Sequence, residues 1–307
     1  MRRRLIIATR RSPLARWQAT YVAKQLQYHY PQWDIAILAL NTEGDNYLEQ
    51  PLRQLGGKGL FVKALELALL KGQADIAVHA MKDVPMQLPN GFSIAAITQR
   101  AEACDAFIAN DYANINELPE NAIVGTASLR RRAQLLAAYP HLKIQPLRGN
   151  LQTRLAKLDR GEYQAIILAA AGLKRLGLEQ RIRQRLSIDI YLPAPGQGAL
   201  GIEVYANEQL VDLLQPLHHA DSADCIIAER RMSACLHGSC QAPIAAYAEI
   251  VDEHSMRLKG LVARTDGSQM IVAQANASRI AAAALGEQVA DLLLSEGAAN
   301  LLVNPNV

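Results

Sequence analysis

Short apolar runs alternate with helical segments over the first 80 residues. A helix is predicted from Pro13 to about His29, because Ser12 can cap it and proline suits a first turn. A second helix is predicted within 56–72, after a glycine loop. Strands that alternate with helices form mostly parallel sheets with helices on both faces. The buried strands are predicted at 5–9, 34–40 and 74–80.

The same alternation begins again after about residue 100, and a Pro/Gly-rich turn then leads into a strand within 191–205. We expect this strand to return to the first sheet, so that two crossing connections form a hinge and leave a cleft between two doubly wound α/β domains. The strands of the second domain are predicted at 105–109, 122–127, 143–147 and 164–171.

A third, smaller α+β unit is predicted from about residue 220. It contains a helix, the strand 244–250, a hairpin around 265–268 and an alanine-rich helix at about 278–296. The predicted domains are therefore 1–98 with 199–216, 104–192, and 220–307.

Composition narrows the class of protein. The 307 residues are 50% hydrophobic, which is typical of a globular protein, and no apolar run approaches the ~20 residues that span a bilayer. The apolar stretch near the start is too short for a signal peptide, so a cytoplasmic location and no membrane contact are expected. The four cysteines match no common zinc spacing, so no metal site is predicted.

Charge is unevenly distributed. Residues 125–185 contain ten Arg and three Lys against three acidic residues, whereas residues 220–307 contain six basic and ten acidic residues. Arginine holds carboxylates and phosphates through a planar fork. The middle of the chain therefore favours anion binding.

Basic residues gather where strands lead into helices. The free N–H groups and the dipole of a helix N-terminus attract anions, and arginines in a first turn oppose that dipole unless an anion lies between them. The residues at these helix starts therefore indicate an anion-binding site, and the alternative is that they form a basic surface exposed to solvent. Nucleic acid is not expected as a partner, because aromatic residues are sparse in this region and no nucleic-acid motif is present. The residues concerned are Arg10, Ser12, Ser128, Arg130, Arg131, Arg148, Arg154 and Arg175.

Two further motifs suggest chemistry. In "VHAMKDVP", Lys82 and Asp83 follow a strand, where ligands bind in such folds. Asp83 could act as an acid or base, stabilise a cation, or pair with Lys82 at the surface, and His79 is expected to be a packed or hydrogen-bonding histidine. In "HGSCQAPI", Cys240 stands among small residues and could be a structural thiol, a metal ligand or an attachment point.

Eight motifs, in order along nearly the whole chain, resemble the porphobilinogen deaminase (hydroxymethylbilane synthase) family. They are "IATRRSPLA", "GGKGLFVKALE", "HAMKDVP", "GTASLRRRAQ", "RGNLQTRL", "LAAAGLKRL", "LPAPGQGALGIE" and "GSCQAPIAAYA". The resemblance implies a three-domain transferase of haem and porphyrin biosynthesis, whose first two domains are similar to a periplasmic binding protein. It condenses four porphobilinogens head to tail into the linear tetrapyrrole hydroxymethylbilane and releases ammonia.

The resemblance also assigns roles. It implies a dipyrromethane cofactor joined to Cys240 by a thioether, Asp83 as the catalytic carboxylate facing the pyrrole N–H groups, and a monomeric enzyme. The implied contacts to the cofactor are Lys82, Asp83, Ser128, Arg130 and Arg131. Those to substrate or growing chain are Arg10, Ser12, Arg148, Arg154 and Arg175.

Three positions depart from the family pattern. Gln54 stands where a second lysine often precedes Lys58, and Ala80 and Ser239 replace other small residues. Gln54 puts one carboxylate contact in doubt. A non-catalytic anion-binding or solute-binding protein of the same two-domain architecture is the alternative, and it would need neither Asp83 nor Cys240.

Overall fold

The structure is a computed structural model that describes residues 4–41, 62–237 and 242–303. Gln54, Lys58, Ser239 and Cys240 lie outside these ranges. The chain forms two compact units, the first of Met1–Ala101 with Ala199–Ala223 and the second of Glu102–Gly198 with Asp224–Val307. The division into three domains stays a prediction.

Strands and helices alternate along much of the described chain. In chain order the strands are β1 (Arg4–Arg10), β2 (Asp34–Leu40), β3 (Ile76–Ala80), β4 (Phe92–Ile97), β5 (Asp105–Ala109), β6 (Ile123–Gly125), β7 (Lys143–Gln145), β8 (Ala165–Ala169), β9 (Gln184–Arg185), β10 (Leu200–Tyr205), β11 (Ile244–Ile250), β12 (Ser255–Ala263) and β13 (Met270–Ser278). The helices are α1 (Pro13–His29), α2 (Lys63–Leu70), α3 (Leu129–Ala138), α4 (Leu151–Asp159), α5 (Ala170–Arg175), α6 (Glu208–Leu214), α7 (Ala220–Cys235), α8 (Ala282–Ser295) and α9 (Ala298–Val303).

The first unit contains a five-stranded sheet in the order β2-β1-β3-β10-β4. β1 is parallel to β2 and β3, whereas β10 runs antiparallel between β3 and β4. The late strand therefore returns to the first sheet as predicted, and it is the one antiparallel strand among the described strands of an otherwise parallel sheet, which agrees with the mostly parallel sheet expected. Its core joins sheet residues such as Ile7, Ile76 and Ile202 to Val22 and Leu26 of α1.

The second unit contains a five-stranded sheet in the order β7-β6-β8-β5-β9. β6 is parallel to β7 and β8, and β5 is antiparallel to β8 and β9. The carboxyl ends of β6, β7 and β8 consequently lie at one edge of the sheet, and the predicted arginines follow these three strands. The order of elements confirms the predicted α/β class.

The same unit contains an antiparallel sheet, β11-β12-β13, which has its own core with α7, α8 and α9. Met232, Leu258, Val289 and Leu293 are fully buried there. A smaller cluster that includes Ala133, Leu192 and Leu261 links this sheet to α3.

Some boundaries differ from the sequence prediction. The strand predicted at 164–171 ends at Ala169, and α5 begins at Ala170, because alanine favours a helix. β7 ends at Gln145 because Pro146 has no N–H to donate. β4 is a short apolar run that the sequence analysis missed. No helix within the described ranges combines the length and hydropathy needed to cross a membrane.

Candidate active site

Arg10 and Ser12 lie at the carboxyl end of β1. Arg10 ends the strand and is half-buried. Ser12 is the N-cap of α1, and its hydroxyl accepts a hydrogen bond from Ala15 N at 3.4 Å, which satisfies one of the N–H groups left open at a helix start. The predicted cap is confirmed.

Lys82 and Asp83 lie in a 3₁₀ turn, Met81–Asp83, directly after β3. Met81 is buried, and its N–H donates to Ala199 O at 3.0 Å. On the neighbouring strand β10, a Cβ at Gly201 would clash with the Met81 sulfur, so a larger residue there would require the Met81 side chain to move. Since β1 and β3 are parallel neighbours, the exposed Asp83 and the half-buried Lys82 lie at the same sheet edge as Arg10.

The first turn of α3 begins at Ser128, whose hydroxyl accepts from Arg131 N at 3.4 Å. Arg130 is only 3% exposed and Arg131 only 7%, whereas Arg132 is exposed. Arg130 and Arg131 are therefore not part of a solvated basic face, which removes that alternative for these two residues.

Asp105, the first residue of β5, is the partner of both buried arginines. Its Oδ2 accepts from Arg130 NH1 at 2.8 Å, and its Oδ1 accepts from Arg131 NH2 at 2.7 Å. Burial alone would raise the pKa of Asp105, but the charges of Arg130 and Arg131 and their hydrogen bonds outweigh it, so the pKa lies well below its usual range. The sequence analysis missed this residue; an acidic side chain at the start of a fully buried strand was the available signal.

The remaining predicted arginines follow β7 and β8 at the same edge of the second sheet. Arg148 is half-buried just before α4. Arg154, one turn into that helix, donates from Nε to Gly149 O at 2.8 Å. Arg175 ends α5 and donates to Gly198 O at 2.7 Å. The structure thus places Ser128, Arg148 and Arg175 after three parallel strands of one sheet.

The segment 192–198 is bound at several points within the second unit. Gln134 donates to Leu192 O at 3.0 Å and accepts from Leu192 N at 2.7 Å. Glu229, fully buried on α7, accepts from Gly196 N at 2.7 Å and from Ala248 N on β11 at 2.8 Å. This segment therefore connects the turn that holds the arginines with the small antiparallel sheet.

Cys104, Cys225 and Cys235 form no disulfide bond among the described residues. Cys104 and Cys225 are buried and Cys235 is half-buried. Burial, with further contributions from Glu102, raises the pKa of Cys104 to about 12, which makes it a poor nucleophile. No cluster of three or more His, Cys, Asp or Glu within the described ranges could hold a metal ion.

Fold and site together define an α/β protein that presents capped helix starts and arginines at the edges of two sheets, an arrangement suited to anionic ligands. Residues 5–212 match the family model "Porphobilinogen deaminase, dipyromethane cofactor binding domain", and residues 223–295 match "Porphobilinogen deaminase, C-terminal domain". The chain belongs to the porphobilinogen deaminase family.

Curated relatives cover nearly the whole chain. The porphobilinogen deaminase of Laribacter hongkongensis is 52% identical over 301 residues, which are 98% of this chain and 97% of that protein. Those of Ralstonia nicotianae and Neisseria meningitidis serogroup A are each 54% identical, over 97% and 98% of this chain and 91% and 96% of their own lengths. The family, the transferase class and the dipyrromethane cofactor expected from the sequence are confirmed, and the non-catalytic alternative is not favoured.

Solved structures of solute-binding proteins overlap the chain weakly. The methionine-binding protein MetQ has a TM-score of 0.45 at 13% identity, over 70% of this chain and 88% of its own. A putative methionine-binding lipoprotein of Bacillus subtilis has a TM-score of 0.45 at 11% identity, over 72% of this chain and 93% of its own. Overlaps this weak carry no argument about ligand or mechanism.

Proposed function

We propose that the chain condenses four porphobilinogens head to tail into hydroxymethylbilane. The observation that carries this activity is the 52–54% identity to porphobilinogen deaminases over 97–98% of the chain. In each condensation the C–N bond of an aminomethyl group breaks, ammonia leaves, a C–C bond forms to a second pyrrole, and that pyrrole loses a proton. One water supplies the hydroxyl group of hydroxymethylbilane when the finished chain is released. The roles of individual residues are proposals that rest on the resemblance to the family together with the site geometry.

The buried arginines fit a cofactor that carries carboxylates. Two guanidinium groups share one carboxylate, Asp105, so among the described residues one of the two positive charges has no carboxylate of its own. The Nε atoms of Arg130 and Arg131 are also buried with no hydrogen-bond partner among the described residues. Buried charges and donors require partners, and an anionic ligand would provide them. Arg130, Arg131, Ser128 and Lys82 are the residues we assign to the carboxylates of the dipyrromethane, which supplies the pyrrole that is extended.

Attachment of this cofactor is assigned to Cys240. The assignment rests on the resemblance of "GSCQAPIAAYA" to the family, and in the sequence Cys240 lies between α7 and β11. His237, the last described residue before the loop, has a left-handed backbone with φ of 51°, which ends the helical path of α7. Buried Cys104, with its raised pKa, is a poor competitor for thioether formation because the thiolate is the reactive form.

Substrate and growing chain are assigned to the other sheet-edge residues. Each porphobilinogen brings an acetate and a propionate, so every addition adds two negative charges. Arginine neutralises such groups through directional, charge-assisted pairs. The residues assigned to this role are Arg10, Ser12, Arg148, Arg154 and Arg175.

Asp83 is assigned as the catalytic carboxylate. It is exposed at the end of β3, in a turn fixed by buried Met81. A carboxylate in a fixed position can stabilise the positive charge that develops on the substrate ring as ammonia leaves, and can then guide the departing proton. The backbone anchor gives Asp83 a defined position without burying its charge.

We infer that the enzyme acts as a cytoplasmic monomer on this small molecule, without nucleic acid. The free thiols of Cys104, Cys225 and Cys235 are typical of a reducing compartment. Light scattering coupled to size-exclusion chromatography should give one chain per particle, and a polynucleotide should not alter turnover.

The proposed activity is tested with purified enzyme and porphobilinogen. We expect one ammonia released per porphobilinogen consumed and a linear tetrapyrrole as the first product, identified by mass spectrometry before it cyclises. Consumption without ammonia, or binding without any product, would contradict the proposed reaction and restore the solute-binding alternative.

A further inference from the structure

A single buried carboxylate organises the arginine turn of the second unit. Asp105 is 1% exposed, and three side chains donate to it. Arg130 donates to Oδ2, while Arg131 and Gln197 donate to Oδ1, the last at 2.9 Å. Gln197 is itself held, because its amide also donates to Ala103 O at 2.6 Å. The carboxylate therefore has a fixed orientation.

Main-chain carbonyls hold the same guanidinium groups from other directions. Arg130 NH1 also donates to Leu192 O at 2.7 Å, and Arg131 NH1 donates to Ile167 O at 3.0 Å. Each guanidinium is thus held by a neutral acceptor and by one oxygen of Asp105. A planar fork bound at two points has little rotational freedom.

The charge balance of this cluster is uneven. With no carboxylate, two buried like charges would repel each other, and one of them would have to move toward solvent. With two carboxylates, the cluster would be neutral and would have no net positive charge to attract an anion. One carboxylate between two arginines fixes both groups and leaves one positive charge.

We propose that Asp105 is a positioning residue that sets Arg130 and Arg131 for the carboxylates of the dipyrromethane, with Gln197 orienting Asp105. This inference rests on the proposed function, since it assigns to those arginines the role of holding the cofactor. Asp105 itself is assigned no contact with the cofactor. Its effect should appear as a failure to assemble the holoenzyme.

The experiment compares Asp105→Asn with Asp105→Glu. Asparagine keeps the shape and one acceptor but removes the charge, whereas glutamate keeps the charge and adds a methylene to a packed site. Intact mass spectrometry of each purified full-length protein gives the fraction that carries the covalent group. Thermal melting gives the stability of each variant.

Two controls separate positioning from stability. Asp159→Asn removes the charge from an exposed Asp–Arg pair, in which Arg181 donates to Asp159 at 2.6 Å. Leu142→Ala opens a cavity in the core that α3 covers and lowers stability without replacing a charged residue. The Leu142→Ala variant therefore shows how much holoenzyme is lost through lower stability alone.

We expect Asp105→Asn to remain folded but to carry about tenfold less covalent group, because a displaced arginine would lose a charge-assisted contact to a cofactor carboxylate. Asp105→Glu should retain more of the group even if its melting temperature is the lower of the two, and both controls should stay loaded. The positioning role is wrong if both Asp105 variants carry as much covalent group as the wild type. It is also wrong if the loaded fraction of each variant is the one that Leu142→Ala shows for the same loss of melting temperature. A wild-type protein without added mass would instead overturn the proposed cofactor.

Discussion

The imidazole Nε2 of His79 lies 2.8 Å from Oε2 of Glu203, and both side chains are buried in the first unit. His79 is on β3 and Glu203 is on the antiparallel neighbour β10, so the pair connects the two strands shortly before the turn that carries Asp83. Glu203 Oε1 has no hydrogen-bond partner among the described residues. His79 is thus the hydrogen-bonding histidine that the sequence analysis expected.

We predict that His79→Leu lowers the free energy of unfolding by about 1–3 kcal/mol, because it leaves the whole Glu203 carboxyl buried without a partner. His79→Leu combined with Glu203→Met should recover part of this loss, since an apolar pair can replace a buried polar one. Urea denaturation of the four proteins of the cycle measures the coupling.

The matched control is the exposed pair Glu249–Arg257, with its nitrogen and oxygen 2.6 Å apart. Glu249→Gln should change the free energy of unfolding by less than about 1 kcal/mol. Additive effects of the His79 and Glu203 substitutions would show that the buried pair is not coupled.

For Asp83, we predict that Asp83→Asn folds and binds substrate but loses about 10²-fold in turnover, as removal of a preorganised electrostatic group does. Asp83→Glu should retain more activity because it keeps the charge. Single-turnover release of ammonia from loaded enzyme is the measurement, and Asp111→Asn, at another exposed carboxylate, is the control. Equal rates for Asp83→Asn and wild type would move the role to another residue.

For Cys240, we predict that the intact protein is heavier than its sequence by two condensed pyrrole units. Peptide mapping should place the added mass on the peptide that contains Cys240. Cys240→Ala should lose it, whereas Cys104→Ala, Cys225→Ala and Cys235→Ala should retain it. Added mass on any other peptide would refute the assignment.

For the substrate arginines, we predict that Arg148→Leu keeps the covalent group but slows turnover about tenfold or more, because one charge-assisted contact to a carboxylate is lost. Arg160→Leu is the control, since Arg160 is exposed and pairs with Glu162 at 2.6 Å. Quenched reactions resolved by intact mass should show shorter chains accumulating on Arg148→Leu alone. The same chain lengths on both variants would count against a substrate role.

Asp105 gives a pH prediction for stability. Its pKa in the folded protein lies below that of the unfolded chain, near 4 for aspartate, so it stabilises the fold above about pH 4, and this contribution is lost as the pH falls further. Asp105→Asn should lower the free energy of unfolding by about 3–5 kcal/mol at neutral pH, because it leaves the buried charges of Arg130 and Arg131 without their carboxylate. Urea denaturation measures the difference in free energy of unfolding between Asp105→Asn and the wild type, and this difference should become smaller from pH 6 to about pH 3. A difference that does not change with pH would contradict an ionised Asp105 paired with the arginines.

Much of the site follows from local sequence. Ser12 and Ser128 cap their helices as predicted, because capping needs only a short polar side chain and N–H groups within three residues. Apolar runs predicted β1, β3 and β5 nearly to the residue, since a strand buried on both faces must be apolar throughout. They also predicted β2, although it lies at the sheet edge and none of its residues is fully buried. The motif order likewise sufficed to indicate the family.

The sequence by itself determined the alternation of strands and helices, the helix starts at the sheet edges and the excess of arginine in the middle of the chain. Only the tertiary structure decided where β10 pairs, and that Arg130 and Arg131 are buried on a carboxylate 25 and 26 residues away. The physical reason is that caps and apolar periodicity act within a few residues. The energy of a charge depends instead on the burial and partners that distant segments provide when they pack.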